Sequence, residues 1–85
     1  MSNLKHKTIL ITGASAGIGQ ACAHLFARQG SNLILTARRG EKLVQLANQL
    51  QGEYDIQVYP KPLDVRDMNA VDEMISNLPE SLKNI

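Results

Sequence analysis

Apolar positions along the chain fall into short unbroken runs that alternate with stripes at helical spacing. Thr8-Ile9-Leu10-Ile11-Thr12 is β-branched and apolar with no polar alternation, the pattern of a strand covered on both faces. A stretch of glycines and small residues follows, and Gln20 to Gln29 then reads as a helix. Its expected inward face is Ala21, Leu25 and Phe26, joined by Cys22, and Gly30 stands where a helix stop belongs. Asn32 to Ala37 is a second apolar run, closed by Arg38-Arg39-Gly40. Glu41 to about Leu50 predicts a second helix with Leu43, Leu46, Ala47 and Leu50 as its stripe. Gly52 to Asp55 reads as a loop. A third strand is expected over Ile56 to Leu63, where Pro60 and Pro62 point to irregular pairing or an edge. Asp67 is a candidate N-cap for a third helix, Met68 to Asn77, with Val71, Met74, Ile75 and Leu78 inward. Pro79 to Asn84 reads as a loop.

The order is therefore β-α-β-α-β-α. Crossovers of this length favour parallel strands joined right-handedly. Three such units make one mononucleotide-binding half of an α/β, doubly wound parallel sheet. Residues 1–85 read as that single half.

The loop after the first strand carries the candidate chemistry. Its glycines are Gly13, Gly17 and Gly19, set between a strand and a helix. Gly13 allows a sharp turn off the strand, Gly17 leaves room for a pyrophosphate, and Gly19 lets the helix lie close to the sheet. The free amides and positive dipole end of that helix then face the anion. The alternative is a glycine-rich turn that binds nothing. A triphosphatase loop would end in Gly-Lys-Ser/Thr, whereas this one ends Gly17-Ile18-Gly19-Gln20, which disfavours phosphoryl transfer.

Composition narrows the partners. The 85 residues are 44% apolar, enough for one small core, although a domain this short buries a modest share of its surface. A formal net charge of +1 suggests neither nucleic acid nor an anionic membrane as partner. The lone Cys22 offers no internal disulfide and no zinc cluster, and no apolar run is long enough to span a bilayer. These features lead us to expect a cytoplasmic protein that binds no metal.

Thr12-Gly13-Ala14-Ser15-Ala16-Gly17-Ile18-Gly19 resembles the cofactor loop of classical short-chain dehydrogenases/reductases, Thr-Gly-x-x-x-Gly-x-Gly, and the resemblance extends from Lys7 to Ile85. It implies a Rossmann-type fold and oxidoreduction of a small-molecule alcohol/carbonyl pair. By the same resemblance Gly13, Ser15, Ile18 and Gly19 would line the adenosine ribose and pyrophosphate, with Thr12 supporting the loop. Leu63-Asp64-Val65 resembles the family's motif after the third strand. There the aspartate accepts from the adenine amino group and the next backbone amide serves the ring. Asp64 would equally suit a turn or cap.

The cofactor is expected to be NADP. NAD binders of this fold usually carry an acid at the end of the second strand, but here Ala37 is followed by Arg38 and Arg39. A carboxylate would repel a 2′-phosphate, whereas a guanidinium binds it with paired hydrogen bonds. The alternative is that both arginines are solvated residues ahead of a helix.

No catalytic residue is assigned. His6 and His24 lack a partner pattern, with His24 expected at or near the surface, and Cys22 suits packing better than nucleophilic attack. The family's Tyr-x-x-x-Lys spacing is absent: Val58 and Leu63 stand four places after Tyr54 and Tyr59. The family's Asn-Asn-Ala-Gly strand and its catalytic serine, tyrosine and lysine would follow Ile85. The 85 residues are thus expected to be inactive alone, and to self-associate through an exposed first strand. A non-catalytic nucleotide-binding module, or an assembly fragment completed by a partner chain, is the alternative.

Overall fold

The computed structural model describes residues 5–14, 17–38 and 40–82. They run β1 (Thr8–Thr12), α1 (Gly17–Arg28), β2 (Asn32–Ala37), α2 (Gly40–Glu53), β3 (Val58–Pro62), α3 (Met68–Ser76) and a 3-10 turn at Glu80–Leu82. All strand pairs are parallel, in the order β1-β2-β3, with Ile11 beside Leu35 and Leu35 beside Pro60. The central strand is the most hidden: Leu33, Ile34 and Leu35 are fully buried. Each such side chain contributes about 1.5–3 kcal/mol of apolar transfer.

Side-chain alternation along the strands builds two cores. On one face Ile11, Leu33, Leu35 and Ala37 meet Ala23 and Ala27 of α1 and Leu43, Leu46, Ala47 and Leu50 of α2. On the other, Ile34 meets Met74 and Leu78, with Leu10, Tyr59 and Leu63 packed around them. Helices α1 and α2 thus cover one face and α3 the opposite one. This is the first half of a Rossmann-type doubly wound sheet, as the sequence pattern predicts.

Several details differ from the sequence reading. Helix α1 begins at Gly17, three residues before Gln20. Its buried residues are Ala23 and Ala27, whereas Ala21 is exposed and Leu25 is 43% exposed. The smallest side chains face the sheet because they let the helix axis come close, and Cys22 and Phe26 flank them. Helix α2 runs on through Gly52 and Glu53, which the sequence assigns to a loop. On α3 the inward residue is Met74, with Val71 half-buried and Ile75 turned 41% to solvent. Part of the expected final loop winds into the 3-10 turn and buries Leu82.

The helix ends behave as their residues suggest. Gly30 (φ 85°) donates to the Ala27 carbonyl at 3.0 Å and the Ser31 amide donates to the Phe26 carbonyl at 3.1 Å, a Schellman closure. Asp67 caps α3, its carboxylate accepting from the Ala70 amide at 3.2 Å.

The prolines of β3 have a clear place. The Gln57 carbonyl accepts from the Leu33 amide, and the Leu63 amide donates to the Ala37 carbonyl, both at 2.9 Å. Odd-numbered peptide groups of β3 therefore face β2. The nitrogens of Pro60 and Pro62 lie on the outer edge, where no ladder donor is needed and where they block a further strand. No helix among the described residues is long and apolar enough to cross a membrane.

Candidate functional site

The carboxyl ends of the three strands are tied together. The Ala14 amide donates to the Thr36 carbonyl at 3.1 Å, and Thr36 Oγ1 donates to the Ile11 carbonyl at 3.4 Å. With the Leu63–Ala37 bond, these links fix the loop after β1 and the loop after β3 on either side of the end of β2. Between them opens a cleft of about 390 Å³. Gly13 lines it from the glycine turn, Thr36, Ala37 and Arg38 from β2, and Leu63 to Arg66 from the loop after β3. The cleft lies at the carboxyl ends of the strands, the side on which open parallel sheets bind their ligands.

The glycine turn is shaped by conformation at one end and by contact at the other. Gly13 and Gly17 have φ of 63° and 58°, and a Cβ on either would meet nothing within 4 Å. Backbone there faces open space. A Cβ on Gly19 would instead collide with the Gly13 carbonyl oxygen and lie 3.1 Å from Ala14 Cα. The close approach at Gly19 is therefore to the turn itself. Gly17, Ile18 and Gly19 form the first turn of α1, whose amides have no intrahelical acceptor. Ile18 is 84% exposed beside them. Thr12 is an exposed residue at the end of β1.

Charge gathers on the far wall. Arg66 Nη2 donates to Asp64 Oδ2 at 2.7 Å, and Nε lies 3.1 Å from each carboxylate oxygen. The Arg66 amide donates to Oδ1 at 2.9 Å, closing a local turn. Arg38 Nε stands 3.8 Å from Oδ2, beyond a good hydrogen bond yet close enough for attraction. The Arg66 hydrogen bonds, above all, hold the Asp64 carboxyl well below the usual carboxylate range, and Asp64 in turn raises Arg66.

Of the residues singled out in the sequence, Gly13, Arg38, Asp64 and Val65 come together in this cleft. Ser15 and Arg39 lie outside the described residues. Arg66 was missed. Its only sequence signal is a cation two places after an aspartate, a spacing that becomes a clasp only once the turn is made. Cys22, Tyr54 and Tyr59 pack against the two cores, and none of them lines the cleft.

Comparison with known proteins settles the lineage. A family model described as short chain dehydrogenase matches residues 7–85. The chain belongs to this family. Among short chain dehydrogenases it is 42% identical to the NADP-dependent 3-hydroxy acid dehydrogenase of Schizosaccharomyces pombe, which aligns with 100% of this chain and 33% of that protein. It is 46% identical to sulfoacetaldehyde reductase 2 of Chromohalobacter salexigens, over 91% of this chain and 30% of the relative. Its structure resembles that of L-sorbose reductase from Gluconobacter frateurii complexed with NADPH and L-sorbose. The TM-score is 0.85 at 30% identity, over 96% of this chain and 32% of that one. The chain spans about a third of the length of these short chain dehydrogenases.

Proposed function

We propose that this chain supplies the dinucleotide-binding half of an NADP-dependent oxidoreductase acting on a small alcohol/carbonyl pair. The observation that carries the reading is the end of β2. Ala37 stands there instead of an acid, and the next residue, Arg38, lines the same cleft as Gly13. The residues present fit a dinucleotide. The backbone at Gly13 and Gly17 faces open space a phosphate can enter, the first turn of α1 offers free amides, and Arg38 offers a guanidinium to a 2′-phosphate. Thr12, Ser15, Ile18, Gly19, Arg39, Asp64 and Val65 complete the proposed cofactor set. The relatives' names support both the cofactor and the small substrate: one is NADP-dependent, one was crystallised with NADPH, and they act on a 3-hydroxy acid, sulfoacetaldehyde and L-sorbose. When bound, NADP would exchange a hydride with the substrate carbon.

These 85 residues contain no Tyr-x-x-x-Lys pair. We therefore assign to them cofactor binding and orientation and no proton transfer, and expect the isolated polypeptide to consume no NADPH over a panel of carbonyl compounds. Dissociation constants for NADPH and NADH, measured on the protein and on Arg38→Ala, test the cofactor. Losing a charge-assisted phosphate contact costs about 1.5–3 kcal/mol, a tenfold or greater loss for NADPH with NADH little changed. Equal affinities for the two cofactors, unmoved by the substitution, would remove the assignment.

A further inference from the structure

The cleft that should welcome a 2′-phosphate also holds a carboxylate. Asp64 Oδ2 is 3.8 Å from Arg38 Nε, and both residues line the same space. An acid in that position opposes phosphate in two ways. It repels the anion directly, and it offers Arg38 an internal partner in place of the ligand. Arg66 answers both. Its guanidinium fork takes both oxygens of Asp64, at 3.1 Å through Nε and 2.7 Å through Nη2, while its backbone amide takes Oδ1 at 2.9 Å. A carboxylate has about four acceptor sites, and three N–H groups of Arg66 engage both of its oxygens, the Nε hydrogen shared between them. Arg38 is left near Asp64 without a hydrogen bond to it. Among the described residues, the two guanidiniums and one carboxylate of the cleft then sum to one positive charge, where Arg38 and Asp64 alone would cancel.

We propose that Arg66 is a positioning residue for cofactor choice: by clasping Asp64 it keeps Arg38 free for the 2′-phosphate of the nucleotide and screens that phosphate from the acid. The inference rests on the NADP reading above and extends it to a residue outside the glycine turn and the end of β2. Arg66 does not itself need to touch the phosphate. Its removal lets Asp64 turn to Arg38, and the cost falls on ligands that carry a 2′-phosphate.

Two fragments separate this role from general support of the fold. Adenosine 2′,5′-bisphosphate carries the 2′-phosphate, and adenosine 5′-monophosphate lacks it. Calorimetric titration of the protein with each gives a discrimination ratio. Arg66→Ala should lower that ratio about five- to tenfold, the scale of one charge-assisted contact at a partly exposed site, most of the change falling on the bisphosphate. Adding Asp64→Asn to Arg66→Ala should restore the ratio, because the competing acid is gone. Circular dichroism establishes that each variant is folded. Equal weakening of both ligands by Arg66→Ala, an unchanged ratio, or failure of Asp64→Asn to rescue would overturn the proposal. Failure of the unsubstituted protein to prefer the bisphosphate would overturn the NADP reading and this inference with it.

Discussion

Asp64 is 37% exposed at its side chain, yet Arg66 holds it in a bidentate grip. Exposed ion pairs usually contribute little, because solvent and salt screen them. This one differs in geometry, since Nε and Nη2 of the fork reach both carboxylate oxygens and a backbone amide joins them. The expected result is a carboxyl that titrates well below its ordinary value of 3.8. The sign follows from linkage: a depressed folded pKa gives stability that is present above the unfolded value and is lost as pH falls through the folded one. Carbon-detected NMR titration of Asp64 should find it still ionised at pH 3.5, and Arg66→Ala should return its midpoint toward the ordinary range. A midpoint near 4 in the unsubstituted protein would mean that the clasp does not persist in solution. The role of Asp64 as a turn residue was legible from its type and place. Its pairing with Arg66 was not, because two residues of sequence separation bring guanidinium and carboxylate together only in this turn.

At the level of elements, strands were the most legible. Uninterrupted apolar runs gave β1 and β2 to the residue, because β2 is buried between the helix layers and β1 pairs with it along its whole length. Helix faces were less so. The inward face of α1 consists of Ala23 and Ala27, which a search for large apolar side chains passes over in favour of Leu25. Close packing selects small residues here, and the same closeness governs the start of the helix at Gly19. Gly19→Ala should push α1 off the turn and reduce stability by about 1–3 kcal/mol, the usual range for overpacking. Urea unfolding measures this, with Gly52→Ala as the control, since a Cβ at Gly52 meets nothing within 4 Å in a helix. Gly52→Ala should be neutral or stabilising. A loss at Gly19 no greater than at Gly52 would mean that the turn yields without cost.

For the whole molecule, the two sheet edges are unlike. Prolines guard the outer side of β3, whereas β1 presents Thr8-Ile9-Leu10-Ile11-Thr12 with neither proline nor charge. Ile9 and Leu10 are only half-buried. An unguarded apolar edge templates pairing with another strand. The isolated 85-residue chain should therefore self-associate, its sedimentation coefficient rising with concentration. A single monomeric species across a hundredfold concentration range would refute this. That the fold has two layers of helices was readable from element order alone. Their unequal strength was not, since it depends on how few side chains α3 commits to the sheet.

That inequality has a dynamic consequence. The glycine turn and Arg38 are anchored to the larger core, but the loop carrying Asp64 and Arg66 leads into α3, whose buried contribution within the helix is Met74 alone. Local openings follow such differences in burial. Amide hydrogen exchange should be slowest in β2 and much faster in α3, where brief detachment would carry one wall of the cleft away with it. A nucleotide spanning both walls binds only the closed form, and so stabilises it by mass action, by about 2.7 kcal/mol at a hundred times its dissociation constant. The α3 amides should then gain more protection on ligand addition than the amides of β2, whose exchange is already limited by the central core.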